Sequence, residues 1–216
     1  ENPHRIDTPG FVLSIIAVGM LVFTVIESPN WGWGSFKSNA GFVIAVIAFA
    51  AFISAEMRTK EPLLDVRVFS NPRLSAAAGS IFVAFFCLFG FTFLVTQYFQ
   101  FVRGYDTLSA GIHTIPFAVG AGITAPFAAR AALRFGTKRV VAMGLLNMAI
   151  GLAIASRMDQ HSSYWGHVII SMVIMANGLS LVTSPSTDAI MGTLNRDKAG
   201  VGSAINDVGR EVGGTL

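Results

Sequence analysis

Asp207, Arg210 and Glu211 fall within one five-residue stretch whose surroundings are small: Gly200, Gly202, Ser203, Ala204, Gly209, Gly213 and Gly214. On a helix, Asp207 neighbours Arg210 at i+3 and Glu211 at i+4. Two carboxylates beside a fixed cation can take up and release protons, or can pair internally and set how a helix end packs. Both readings stand from the residues alone, with Arg210 the residue on which either turns. Other polar groups sit singly in apolar surroundings: Gln97, Gln100 and Asn177. Each can bond a neighbouring helix or line a cavity. His113 is a candidate proton sensor, or a histidine satisfied at an interface. Nothing supports hydrolysis or group transfer. There is no Gly-x-Ser-x-Gly, no phosphate-binding loop and no His-Glu-x-x-His, and His4, His113, His161 and His167 are too scattered for a metal site. No enzyme, metal or cofactor is expected.

The elements that must position these residues are written in the charges. Six stretches carry no Lys, Arg, Asp or Glu: Thr8–Ile26, Ser38–Ala55, Leu74–Val102, Thr107–Ala129, Val140–Ser156 and Ser162–Thr187. They run to 19, 18, 29, 23, 17 and 26 residues. A bilayer core about 30 Å thick needs roughly 20 apolar residues as helix. Charged residues make up 12% of the chain, about half the share of soluble domains, which excludes a soluble helical bundle. The chain reads as an all-α, polytopic membrane protein whose first partner is the lipid bilayer. The single Cys87 permits no intrachain disulfide.

The cations alternate between gaps. One side collects Arg5, Arg58, Lys60, Arg67, Arg73, Arg130, Arg134, Lys138, Arg139, Arg196 and Lys198, 11 in all, against 3 on the other, Lys37, Arg103 and Arg157. The richer side is expected to be cytoplasmic. The net charge of +3 therefore belongs to membrane-flanking loops and implies no nucleic-acid partner. Residues 28–34 read as an outer loop with Trp31 and Trp33 at headgroup depth. Residues 56–73 read as a charged connector, and 130–139 as a basic loop between two spans. Asp188 is expected in a loop or cap. Gly144 and Gly151, one heptad apart, share nearly one helix face.

The basic segment Arg134-x-Gly136-x-Lys138-Arg139 resembles the hallmark cytoplasmic loop of the major facilitator superfamily, Gly-x-x-x-Asp-Arg-x-Gly-Arg-Arg. It departs at Ala129, Leu133 and Thr137. The stretches Asn177–Gly192, which holds Pro185, and Ala199–Gly214 are similar to the fourteen-helix drug:proton antiporters of that superfamily. So are Pro62-Leu-Leu-Asp-Val-Arg-Val-Phe, and Thr96-Gln-Tyr-Phe-Gln followed by Gly104-Tyr and Ala110-Gly. The resemblance carries Asn206, Arg210, Gly213 and Gly214 over as motif positions.

It implies a major facilitator fold, seen in part: residues 1–56 as a central linker helix pair, 57–73 as a cytoplasmic connector, and 74–216 as about five helices of a C-terminal bundle. A start without Met and an end inside a span agree with an internal piece, six helices preceding it and one following. The implied activity is export of small amphipathic compounds coupled to protons. The proton gradient is the energy source, and the working unit is a monomer in a bacterial plasma membrane. Phe89, within the Phe-rich third span, joins Gln97, Gln100 and Asn177 as a substrate-path candidate. Export of a specific native metabolite, and a non-transporting membrane enzyme or sensor scaffold, are the alternatives.

Overall fold

The computed structural model of the chain describes residues 8–59, 66–194 and 199–216. Arg5, Lys60, residues 62–65 of the connector motif, Arg196 and Lys198 lie outside them. The described residues form eight α-helices and no strand: α1 Thr8–Trp31, α2 Phe36–Arg58, α3 Pro72–Gln97, α4 Thr107–His113, α5 Ile115–Phe135, α6 Thr137–Ala155, α7 Ile169–Thr193 and α8 Ala199–Thr215. A 3₁₀ turn, Val66–Ser70, precedes α3. Short π-helical segments, Tyr98–Val102 and Tyr164–Val168, extend α3 and open α7. Six of the resulting rods are long and apolar enough to cross a membrane.

The chain divides into two compact units, Glu1–Pro72 with Thr215–Leu216, and Arg73–Gly214. In the first, α1 and α2 form a hairpin. Thr24 is buried and its side chain occupies the space a β-carbon on Gly41 would need. Lipid tails are as apolar as leucine, so close packing of small residues has to hold such a pair together.

The expected outer loop is shorter than its composition suggests. α1 continues through Ser28, Pro29 and Asn30 to Trp31, leaving only residues 32–35 to turn. The buried Ser28 hydroxyl donates back to the Thr24 carbonyl at 2.6 Å, and the Gly32 N–H donates to Ser28 at 2.8 Å. The helix thus keeps its bonds around Pro29, and Gly32 then ends it at φ +89°. Ser35 caps α2, accepting from the Ser38 N–H.

In the second unit, α7 packs on both α6 and α5. The α6 seam is made by glycine. Gly144 lies beside the Gly178 carbonyl, Gly178 beside the Gly144 carbonyl and Met148, and Gly151 against Met175. The one-heptad spacing of Gly144 and Gly151 thus does mark one face. The α5 seam adds polar contacts. Gly120 faces Ala176, Ser180 donates to the Ala121 carbonyl at 3.0 Å, and Thr124 donates to Asn177. Phe91, Phe99, Met148, Met172 and Met175 fill the core between these elements.

Two more boundaries move. The basic segment is almost entirely helical, with Arg130 and Arg134 in α5 and Lys138 and Arg139 in α6. Gly136 alone separates the two, at φ +87°, where a side chain would be strained. Asp188 lies within α7, exposed, and the helix runs on to Thr193.

Candidate functional site

Glycine brings α8 onto α3. A β-carbon on Gly213 would overlap the Phe82 backbone, one on Gly214 would touch the Phe89 ring at 3.0 Å, and Gly209 faces Ile81. Asn206 fixes the other flank of α8 by accepting from the Thr187 hydroxyl of α7 at 3.0 Å. The motif positions Asn206, Gly213 and Gly214 are therefore helix-contact residues, and Pro185 is buried two residues before Thr187.

Arg210 lies in this seam with its guanidinium 4.7 Å from the centre of the Phe85 ring. A guanidinium over an aromatic face is held by the ring quadrupole. No ion pair joins Arg210 to Asp207 among the described residues. Asp207, Arg210 and Glu211 are all exposed on the helix, the Arg210 guanidinium lying over Phe85 at the rim of the seam. The trio shares one stretch of α8, with its cation packed on α3.

A second cluster gathers at the opposite end of α3, far along the chain from the trio. The π-helical turn brings Arg103 back over Tyr98: the Arg103 Nε donates to the Tyr98 hydroxyl at 2.9 Å, and that hydroxyl donates to the Asp159 carbonyl at 2.9 Å. Arg103 also donates to the Ser162 carbonyl. Hydrogen bonds from Ser162 and the His161 N–H hold the Asp159 carboxyl below its ordinary range. Ser109 does the same for Asp106, the N-cap of α4. His113 stands beside this network. Its ring centre is 4.5 Å from Tyr105 and 4.7 Å from Tyr164, its Nδ1 is 2.7 Å from the Ser109 carbonyl, and the Tyr164 hydroxyl donates to its carbonyl. Arg103 and the 157–163 turn, assigned to one side of the bilayer by charge, meet at one end of the bundle.

Beside this second cluster lies a cavity of about 310 Å³ bounded by α3, its π-helical end, α4, α5 and Met172 of α7. Gln100 is half-buried in its wall. Gln97 closes α3 one turn earlier and is not among the lining residues. Phe89 is 53% exposed and belongs to the α8 contact. Asn177 is committed to Thr124. The substrate-path candidates thus fall at separate places, with Gln100 alone on the cavity. At the basic end, Arg130 and Arg134 lie over Phe127 and Phe135.

Two features were not anticipated. Glu56, read as the boundary between the helix pair and the charged connector, is in α2 and only 2% exposed. Its position directly after an uncharged run was the available sign. The Tyr98–Arg103 pair was signalled by nothing beyond its spacing of five, which brings side chains together only in a π-turn.

Membrane-length helices joined by glycine seams, with polar groups placed singly between them, define a polytopic α-helical membrane protein. The chain belongs to the Major Facilitator Superfamily, whose family model matches residues 10–216. Among curated relatives, it is 30% identical over its full length to Multidrug resistance protein Stp of Mycobacterium tuberculosis. It is 31% identical over 99% of its length to the Tetracenomycin C resistance and export protein of Streptomyces glaucescens. It is 27% identical over its full length to Multidrug efflux pump LfrA of Mycolicibacterium smegmatis. The chain spans 40–42% of the length of these relatives.

Proposed function

We propose that the chain is part of a proton-coupled exporter of small amphipathic compounds, set in the plasma membrane of a bacterium with its cation-rich loops inside. The observation that carries this reading is similarity, along essentially all of this chain, to part of proteins named for multidrug resistance, export and efflux. In such a protein two helical bundles rock about a central site and open it to each side in turn. Protonation biases one state and substrate the other. No cofactor enters; the proton gradient supplies the energy, and a monomer suffices.

Within this reading the α8 trio is the coupling or gating element. Arg210, packed on Phe85, ties α8 to α3, and Asp207 and Glu211 flank it as carboxylates whose proton occupancy can change the field at that cation. His113 is the corresponding candidate at the far end. A second reading, export of one native metabolite, is favoured by relatives named for single antibiotics, tetracenomycin C and methylenomycin A.

The test is ethidium efflux from cells expressing the complete gene, with and without a protonophore. Export that collapses with the gradient supports proton-coupled multidrug export. Export that persists without the gradient refutes the coupling. Absence of ethidium export from a verified membrane-inserted protein moves the assignment to a narrow substrate.

A further inference from the structure

We propose that the cavity beside Gln100 is a binding subsite for small, uncharged, aromatic molecules that hydrogen-bond the Gln100 amide. The proposal deepens the transporter reading and rests on it for its biological meaning. The cavity belongs wholly to the Arg73–Gly214 unit. At about 310 Å³ it sits at the small end of ligand-pocket sizes, room for a molecule of a few rings.

Its wall has a defined chemistry. Phe91, buried in the core, backs the partly exposed Phe117 ring with centres 6.1 Å apart and planes 29° apart, leaving Phe117 as the aromatic face of the wall. The Thr96 hydroxyl donates to the Thr92 carbonyl at 2.8 Å, and the Thr114 hydroxyl to the Gly111 carbonyl at 2.7 Å. These two hydroxyl protons are committed, whereas the Thr92 and Thr107 hydroxyls, also in the wall, make no side-chain bond among the described residues and can donate or accept. Gln100 has no side-chain hydrogen bond among the described residues, leaving its amide able to accept as well as donate. It is carried by the Tyr98–Val102 π-helical turn, a distortion that recurs at functional sites. None of the described lining residues is charged. A full cation would lose its hydration there without a counter-ion, whereas a neutral N–H or O–H donor would exchange water for Thr and Gln oxygens. A mostly apolar wall, one free amide in Gln100 and no counter-charge together favour a neutral aromatic molecule that can hydrogen-bond that amide.

Equilibrium binding to the purified, complete protein tests this without requiring turnover, so it can fail independently of the efflux assay. The probe is N-phenyl-1-naphthylamine, a neutral aromatic amine that brightens on burial. Its controls are 1-phenylnaphthalene, which has no donor, and ethidium, which is charged. Gly111 lines the cavity, and nothing stands within 4 Å of a β-carbon built there, so Gly111→Phe starts without a clash at its β-carbon and adds bulk at the cavity wall. It should raise the amine's Kd by about tenfold or more, while elution as a single species verifies folding. Gln100→Leu, which keeps the bulk, should weaken the amine by a few-fold and leave 1-phenylnaphthalene unchanged, matching the net worth of about one hydrogen bond. Amine affinity unchanged in both variants would overturn the site. Ethidium binding as tightly as the amine and being displaced by it would overturn the preference for neutral ligands.

Discussion

A single methyl group at Gly178 should weaken this bundle, although the same change stabilises most helices. In α7, a β-carbon at Gly178 would stand 2.6 Å from Met148 Cγ, 2.7 Å from the Gly144 carbonyl oxygen and 2.8 Å from the Met148 backbone nitrogen. The Met side chain can swing aside, but the other two atoms are backbone. Relief therefore requires α6 and α7 to part along their whole seam. Overpacking of this kind costs roughly 1–3 kcal/mol, and two immovable contacts place it in the upper half of that range. Replacing glycine with alanine returns about 1 kcal/mol of helix propensity. The net expectation for Gly178→Ala is a loss of about 1–2 kcal/mol. Gly90, in α3, has nothing within 4 Å of its built β-carbon, so Gly90→Ala should be neutral or gain up to about 1 kcal/mol. The two variants thus differ in sign. Titration of the complete protein in mixed micelles with a denaturing detergent, followed by tryptophan fluorescence, compares their midpoints. A Gly178→Ala midpoint equal to or above that of Gly90→Ala would refute the close-seam argument. Gly144→Ala strains the same seam, so the double variant should cost less than the two singles added, because the helices separate only once.

At the α5–α7 seam, Asn177→Leu or Thr124→Val removes one interhelical hydrogen bond and should cost about 0.6–2 kcal/mol in the same titration, the two losses not adding; unchanged midpoints would show that the bond contributes nothing. Arg210→Ala should strongly reduce gradient-driven export in the complete protein with insertion intact, and Arg210→Lys should recover only part of it, because a lysine loses the planar stacking on Phe85. Transport equal to wild type in Arg210→Ala would remove its assigned role. Cysteines placed at Lys37 and Arg157 should react with an impermeant reagent from outside, and those at Lys60 and Lys138 only from inside. Any inversion refutes the span order.

Charge marks where a chain leaves hydrocarbon, not where a helix ends, and this distinction separates what was legible in the sequence from what was not. The six uncharged runs located all six spans, because a charged side chain in the bilayer interior is costly whatever the local backbone does. The helices themselves continue past those limits. Backbone N–H and C=O groups in the headgroup region are still best satisfied within a helix, so α1 passes through Pro29 to Trp31, and α5 carries Arg130 and Arg134 out before Gly136 breaks it. Gly136 was legible as a motif position but not as a hinge, since a positive φ is a property of the turn and not of the letter. Among the site residues, the seam glycines were readable because small size has one structural use between membrane helices. The polar residues were not. Whether Asn177 bonds a neighbour or Gln100 faces a cavity depends on helix rotation, which the lipid-facing and protein-facing sides of such apolar spans scarcely distinguish. The π-turn at Tyr98–Val102 sets that rotation for Gln100, and within it Phe99 packs on Tyr105 and on Tyr164, a residue 65 positions further along the chain. A seam is written in residue size and can be read along one helix; a site is written in register and needs all of its helices at once.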